Sequence, residues 1–136
     1  MLAPGHSPDR GRSRFAEDVA TAREMLNTGR GGKSACFRDV NQGTELKACT
    51  TASIYYSYFD PEGLASMPKM ASRLSPQIPL LYVIGKQDSN YTQGREYIFD
   101  KAPPNPLSRY VVIEAGHIDT PSVAVPEVIS WLHSLP

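Results

Sequence analysis

Ile78-Pro79-Leu80-Leu81-Tyr82-Val83-Ile84-Gly85 is a nearly continuous apolar run closed by glycine, the pattern of a strand buried on both faces of a parallel sheet. Pro79 falls at its start, where a missing N–H donor is tolerated. A second run, Tyr110-Val111-Val112-Ile113, reads as a buried strand of the same type. Between the two, Thr92 to Lys101 predicts a helix ended by Pro103 and Pro104. After them, Pro126 suits the first turn of a closing helix whose Val128, Ile129, Leu132 and Leu135 face inward. Strand, helix, strand, helix restricts this segment to a parallel α/β unit.

In open α/β sheets, ligands gather outside the carboxyl ends of the strands. The sequence places ionisable residues at both ends: Gly85-Lys86-Gln87-Asp88 follows the first strand, and Glu114-Ala115-Gly116-His117 follows the second. A carboxylate and an imidazole on neighbouring parallel strand ends can meet. The carboxylate would then fix the tautomer of the imidazole, and the imidazole would take a proton from a nucleophile. An aspartate after a strand is also a common turn former, and a loop histidine is often only a surface residue. The acid and the histidine in register are more specific than either alone.

The first half of the chain is less patterned. Ser13 can cap a helix that carries Phe15, Val19, Ala22 and Leu26 on one face, with Glu17 and Asp18 in its first turn. Gly29, Gly31 and Gly32 end it. The run Gly29-Arg30-Gly31-Gly32-Lys33-Ser34 resembles a phosphate loop only in composition, because it follows a helix and lacks the required spacing. A polar, irregular stretch with a turn at Asn41-Gln42-Gly43 comes next. Thr50 to Phe59 then predicts a helix stopping at Asp60-Pro61. Its Tyr55, Tyr56, Tyr58 and Phe59 read first as core packing with hydroxyls at the rim, and second as the wall of a substrate cleft. A further short helix, started or interrupted by Pro68, is expected within Leu64 to Leu74.

Composition closes off several functions. The chain has 136 residues, 40% hydrophobic and 21% charged, an ordinary globular balance. Lys+Arg and Asp+Glu both number 14, and no block of like charges forms a phosphate-tracking face, so no nucleic-acid partner is expected. No apolar run reaches the ~18 residues of a transmembrane helix, and the opening MLAPGHSPDRGRSR lacks the apolar stretch of a secretory signal. No cofactor or metal site is expected. Cys36 and Cys49 leave two readings open: a disulfide, implying a periplasmic or secreted setting, or two buried thiols in a cytoplasmic one.

The segment Ile78 to Asp88 resembles the seventh strand and acid loop of the α/β-hydrolase family, and Tyr110 to His117 resembles its eighth strand and histidine loop. Pro126-Glu127-Val128-Ile129-Ser130-Trp131-Leu132 is similar to the family's last helix. The resemblance implies an α/β fold present only in part: residues 76–136 as the C-terminal core segment, and residues 1–75 as a strand end followed by a helical cap-like region. It implies Asp88 as triad acid and His117 as general base, with Asp119 a weaker candidate for the acid. The parent activity would be that of a serine hydrolase of the esterase or acyl-hydrolase kind, acting on a small ester-like substrate.

The family places its nucleophile on a Gly-x-Ser-x-Gly turn ahead of the acid. The run Gly5-His6-Ser7-Pro8-Asp9 is a decoy. Too few residues precede it to build the supporting strand, Asp9 stands where a small residue is needed, and Pro8 has no N–H for an oxyanion hole. Ser7 therefore reads as a loop residue. The expectation is a fragment, with Met1-Leu2-Ala3-Pro4-Gly5 the tail of a buried strand and the chain inactive alone. An incomplete sheet would expose a strand edge and favour self-association. The competing reading is a non-catalytic interaction module or a decayed hydrolase-like protein.

Overall fold

A computed structural model describes residues 8, 12–41 and 44–136. The strand tail expected at Met1–Gly5, the loop expected at Ser7 and residues Gln42 and Gly43 of the expected turn lie outside those residues. The described chain forms two compact units, one ending at Ser66 and the other beginning at Met67. Both mix helices with a small sheet, so the fold class is mixed α and β.

In the first unit, helix α1 spans Arg12–Asn27. It buries Phe15 and Ala22, as its seven-residue spacing anticipates. Ser13 lies inside the helix rather than capping it. The end is a Schellman turn: Gly29 adopts φ 71°, Arg30 N–H donates to Met25 O at 2.7 Å, and Gly29 N–H donates to Leu26 O at 3.1 Å. Glycine suits that left-handed position because it has no Cβ to clash.

The stretch read as irregular is a hairpin. Strands β1 (Ser34–Asn41) and β2 (Thr44–Thr51) pair antiparallel from Ser34↔Thr51 to Asn41↔Thr44. Only Phe37 is deeply buried on β1, and most of β2 is exposed, so no alternating apolar pattern announces the strands. The outward backbone of β1 is occupied at Arg38: its N–H donates to Asp18 Oδ2 at 3.1 Å, and its carbonyl accepts from Tyr55 Oη at 2.8 Å. Cys36 and Cys49 face each other in this ladder and are disulfide-bonded.

Helix α2 covers Ala52–Phe59, with Thr51 Oγ1 accepting from Ile54 N–H as its N-cap. Its buried face carries Ala52, Tyr55 and Phe59. Phe37 stacks on Tyr55 with ring centroids 4.3 Å apart, and Tyr55 on Phe59 at 4.4 Å. Burying each such ring contributes about 1.5–3 kcal/mol. The aromatic run is thus mainly core, although Tyr58 is exposed.

The second unit starts with helix α3 (Met67–Ala71), where Pro68 occupies an early position that needs no N–H bond. Strand β3 (Leu81–Gly85) is buried at every residue. Helix α4 (Tyr91–Tyr97) and a 3-10 turn (Phe99–Lys101) share the span read as one helix. Strand β4 (Arg109–Ile113) pairs parallel to β3, with Leu81↔Arg109 through Gly85↔Ile113 in register. Helices α5 (Thr120–Val123) and α6 (Val125–His133) follow.

Two burial expectations need correction. Strand β4 is not buried like β3: Val111 and Ile113 are partly buried against the Leu81, Val83 and Ala124 cluster, whereas Val112 is 41% exposed. Helix α6 turns Val128 and Trp131 inward and leaves Ile129 and Leu132 about half exposed. Its rotation is set by Trp131, whose Nε1–H donates to Leu107 O at 2.7 Å. One residue of phase error on a helix moves a side chain by roughly 100°.

Candidate functional site

The site grows out of the ends of β3 and β4. Because the pair is parallel and in register, Gly85 and Ile113 finish side by side. The ladder continues past them: Lys86 N–H donates to Ile113 O at 2.9 Å, and Gln87 N–H to Ala115 O at 3.1 Å. The two loops are therefore joined by backbone before any side chain is considered. Gly85 is required by this proximity, since a Cβ there would overlap the Ala115 carbonyl and lie 2.7 Å from Thr120 Oγ1.

Asp88 sits on a tight turn between β3 and α4. Its N–H donates to Gly85 O at 3.0 Å, its carbonyl accepts from Tyr91 N–H at 3.0 Å, and its Oδ1 accepts from Asn90 N–H at 2.8 Å. The last bond is an Asx turn, which fixes the carboxylate through the backbone that follows it. Only 1% of the side chain remains accessible.

His117 is placed by a loop pinned from behind. Ala115 and Thr120 are buried. The hydroxyl and the N–H of Thr120 both donate to Gly116 O, at 2.7 and 3.1 Å. From this loop Nδ1 of His117 reaches Asp88 Oδ2 at 2.7 Å. A carboxylate can only accept, so Nδ1 is the donor, and in the neutral ring Nε2 then carries the lone pair. The His117 side chain is 38% accessible, which leaves the ring reachable by a reacting group. A buried acid behind an accessible imidazole is an arrangement suited to general-base chemistry.

The structure brings Asp88 and His117 together and leaves Asp119 out of the pair. Asp119 precedes α5, and its carbonyl accepts from Ser122 and Val123 N–H. Among the described residues no hydroxyl or thiol hydrogen-bonds to His117. Lys86 Nζ and Glu114 Oε1 form an exposed ion pair at 2.9 Å alongside. The hydrogen bond to Glu114, and then its charge, holds Lys86 above the usual lysine range. An exposed pair of this kind adds little to stability.

Sequence reasoning missed Asn90 and Thr120, the residues that immobilise the acid and the histidine loop. The signal for Thr120 was slight, a small polar residue before Pro121 at a helix start. Away from this site, Tyr56, Phe15, Val19, Phe59 and Pro61 line a cavity of about 270 Å³ within the first unit.

Among the described residues no helix is long and apolar enough to cross a membrane, and no cluster of His, Cys, Asp and Glu is placed to hold a metal ion. Comparison with protein-family models, with curated proteins and with solved structures found no match.

Proposed function

We propose that Asp88 and His117 are the acid and general base of a hydrolytic acyl-transfer site of the α/β-hydrolase kind, working on ester-like substrates. The observation that carries this reading is the 2.7 Å contact between a fully buried carboxylate and Nδ1 of a partly accessible imidazole. His117 Nε2 takes the proton of an attacking hydroxyl as that oxygen adds to the substrate carbonyl. It later returns the proton to the leaving group. Asp88 holds the reactive tautomer and stabilises the imidazolium while the proton is held. The hydroxyl comes from a serine beyond the described residues, so residues 12–136 alone have no activity.

The test is a fluorophosphonate probe, which phosphonylates activated serines, applied to the product of the natural gene. One labelled serine is expected that is neither Ser7 nor within residues 12–136, with labelling abolished by His117→Ala and weakened by Asp88→Asn. Labelling at a serine within 12–136 would sink the proposal. So would labelling indifferent to His117→Ala, or no labelling at all.

A further inference from the structure

The Cys36–Cys49 bridge lies in a setting that makes it open to chemistry rather than merely structural. Both cysteines are exposed, and they are directly opposed on neighbouring strands of the β1–β2 hairpin, with Cα atoms 4.0 Å apart. Strand side chains alternate between faces. The bridge therefore shares its face with the next-but-one pair, Arg38↔Lys47, while Phe37 turns to the opposite face and into the core. Two cations thus sit one step along the ladder from the sulfurs. Arg38 is engaged by Glu45 at 3.6 Å, and Lys47 stands across from it on the same strand as Cys49. Positive neighbours favour the thiolate over the thiol, and they also draw in an anionic attacking thiolate.

The rest of the unit does not depend on the bridge. The hairpin is clamped to its helices by Tyr55 Oη donating to Arg38 O, by Arg38 N–H donating to Asp18 Oδ2, and by Ala52 N–H donating to Lys33 O at 3.1 Å. The Phe15, Phe37, Tyr55 and Phe59 core lies on the other side of the sheet from the sulfurs. Breaking the bridge removes a cross-strand tie and exposes no core surface.

We propose that Cys36–Cys49 is a thiol–disulfide exchange site that opens to low-molecular-weight anionic thiols, of the glutathione class, while the unit stays folded. The attacking thiolate bonds to one protein sulfur as the S–S bond breaks, and the other sulfur leaves as a thiolate. A second thiol molecule resolves the mixed disulfide, so two thiols are oxidised to their own disulfide and the protein gains two thiols after protonation from water. This inference is independent of the proposed hydrolase chemistry.

The full oxidised chain would be treated with excess glutathione in the absence of denaturant. Trapping with iodoacetamide and mass spectrometry would follow the appearance of modified Cys36 and Cys49. Reduction is expected at a rate within about tenfold of that in denaturant, with the circular dichroism spectrum retained. Lys47→Glu should slow exchange with anionic glutathione several-fold and leave exchange with neutral 2-mercaptoethanol nearly unchanged. Reduction that occurs only as fast as global unfolding would overturn the proposal, as would loss of the folded spectrum upon reduction. An equal effect of Lys47→Glu on both thiols would remove the electrostatic part of it.

Discussion

His117 Nδ1 and Asp88 Oδ2 are 2.7 Å apart although 29 positions separate them in the chain. The contact follows from backbone before side chains. Parallel pairing puts Gly85 beside Ile113, and the bonds from Lys86 and Gln87 to Ile113 and Ala115 carry both loops forward together. Asp88 then has one oxygen fixed by Asn90 N–H and the other aimed at the imidazole.

Replacing Asp88 by asparagine tests whether this contact sets the tautomer. The Asn oxygen can keep the Asn90 bond, but the amide NH₂ then faces Nδ1 as a donor. His117 is expected to shift its proton to Nε2, seen as an exchange of the two imidazole ¹⁵N signals. Asp88→Ala should remove the acceptor shared by the Asn90 N–H and the imidazole and cost about 1–3 kcal/mol. An unchanged tautomer in Asp88→Asn would mean that the pair does not control the ring.

Gly85 offers a steric test of the same seam. Gly85→Ala forces the new methyl group into the Ala115 carbonyl and against Thr120 Oγ1. Backbone cannot yield as a flexible side chain can, so a loss of about 1–3 kcal/mol or more is expected. Denaturant titration followed by circular dichroism would measure it. Gly32→Ala is the control, since nothing lies within 4 Å of its Cβ position, and it should leave the midpoint nearly unchanged.

The second unit was the more legible part of the sequence for a physical reason. Leu81 to Gly85 is buried on both faces, so its apolar run is continuous and visible, and the ionisable residues just beyond each strand stand out against it. The hairpin was invisible because its strands bury little besides Phe37 and are held in place at Arg38, whose N–H donates to Asp18 and whose carbonyl accepts from Tyr55. Those are long-range partners that no local window contains. The inward face of α6 was misread for a similar cause. Val128, Ile129 and Leu132 are equally apolar, and the bond from Trp131 to Leu107 chooses among the possible rotations. At the site, Asp88 and His117 could be read from strand ends, whereas Asn90 and Thr120 act through backbone contacts that sequence patterns do not mark.

That bond gives a third expectation. Trp131 is the single tryptophan, so its fluorescence reports on the second unit alone. Trp131→Phe removes the donor to Leu107 O and leaves a small void against the Leu81, Val83 and Ala124 cluster. A loss of about 1–3 kcal/mol is expected, read by circular dichroism because the variant is dark. A change below a few tenths would show that the Leu107 carbonyl finds another donor without cost.

Tyr55 gives a pH dependence with a definite sign. Its ring is 1% exposed, and its hydroxyl donates to Arg38 O. Burial, followed by the charges of Asp18 and Asp39, raises its pKa above the ordinary 10.0. Below pH 10 the phenol is neutral in both folded and unfolded chains, and the full stabilisation is present. Above it the unfolded chain loses the proton while the folded one keeps it, so stability falls as pH climbs toward the raised folded value. The slope approaches about 1.4 kcal/mol per pH unit for one proton. Tyr55→Phe should cost about 1 kcal/mol at neutral pH through the lost hydrogen bond, and it should flatten this alkaline decline. Urea midpoints for both proteins at about pH 9 and about pH 11 measure the effect. Parallel alkaline declines in the two would show that Tyr55 is not the titrating group. A steeper decline in wild type would place the buried phenol at the centre of the unit's alkaline instability.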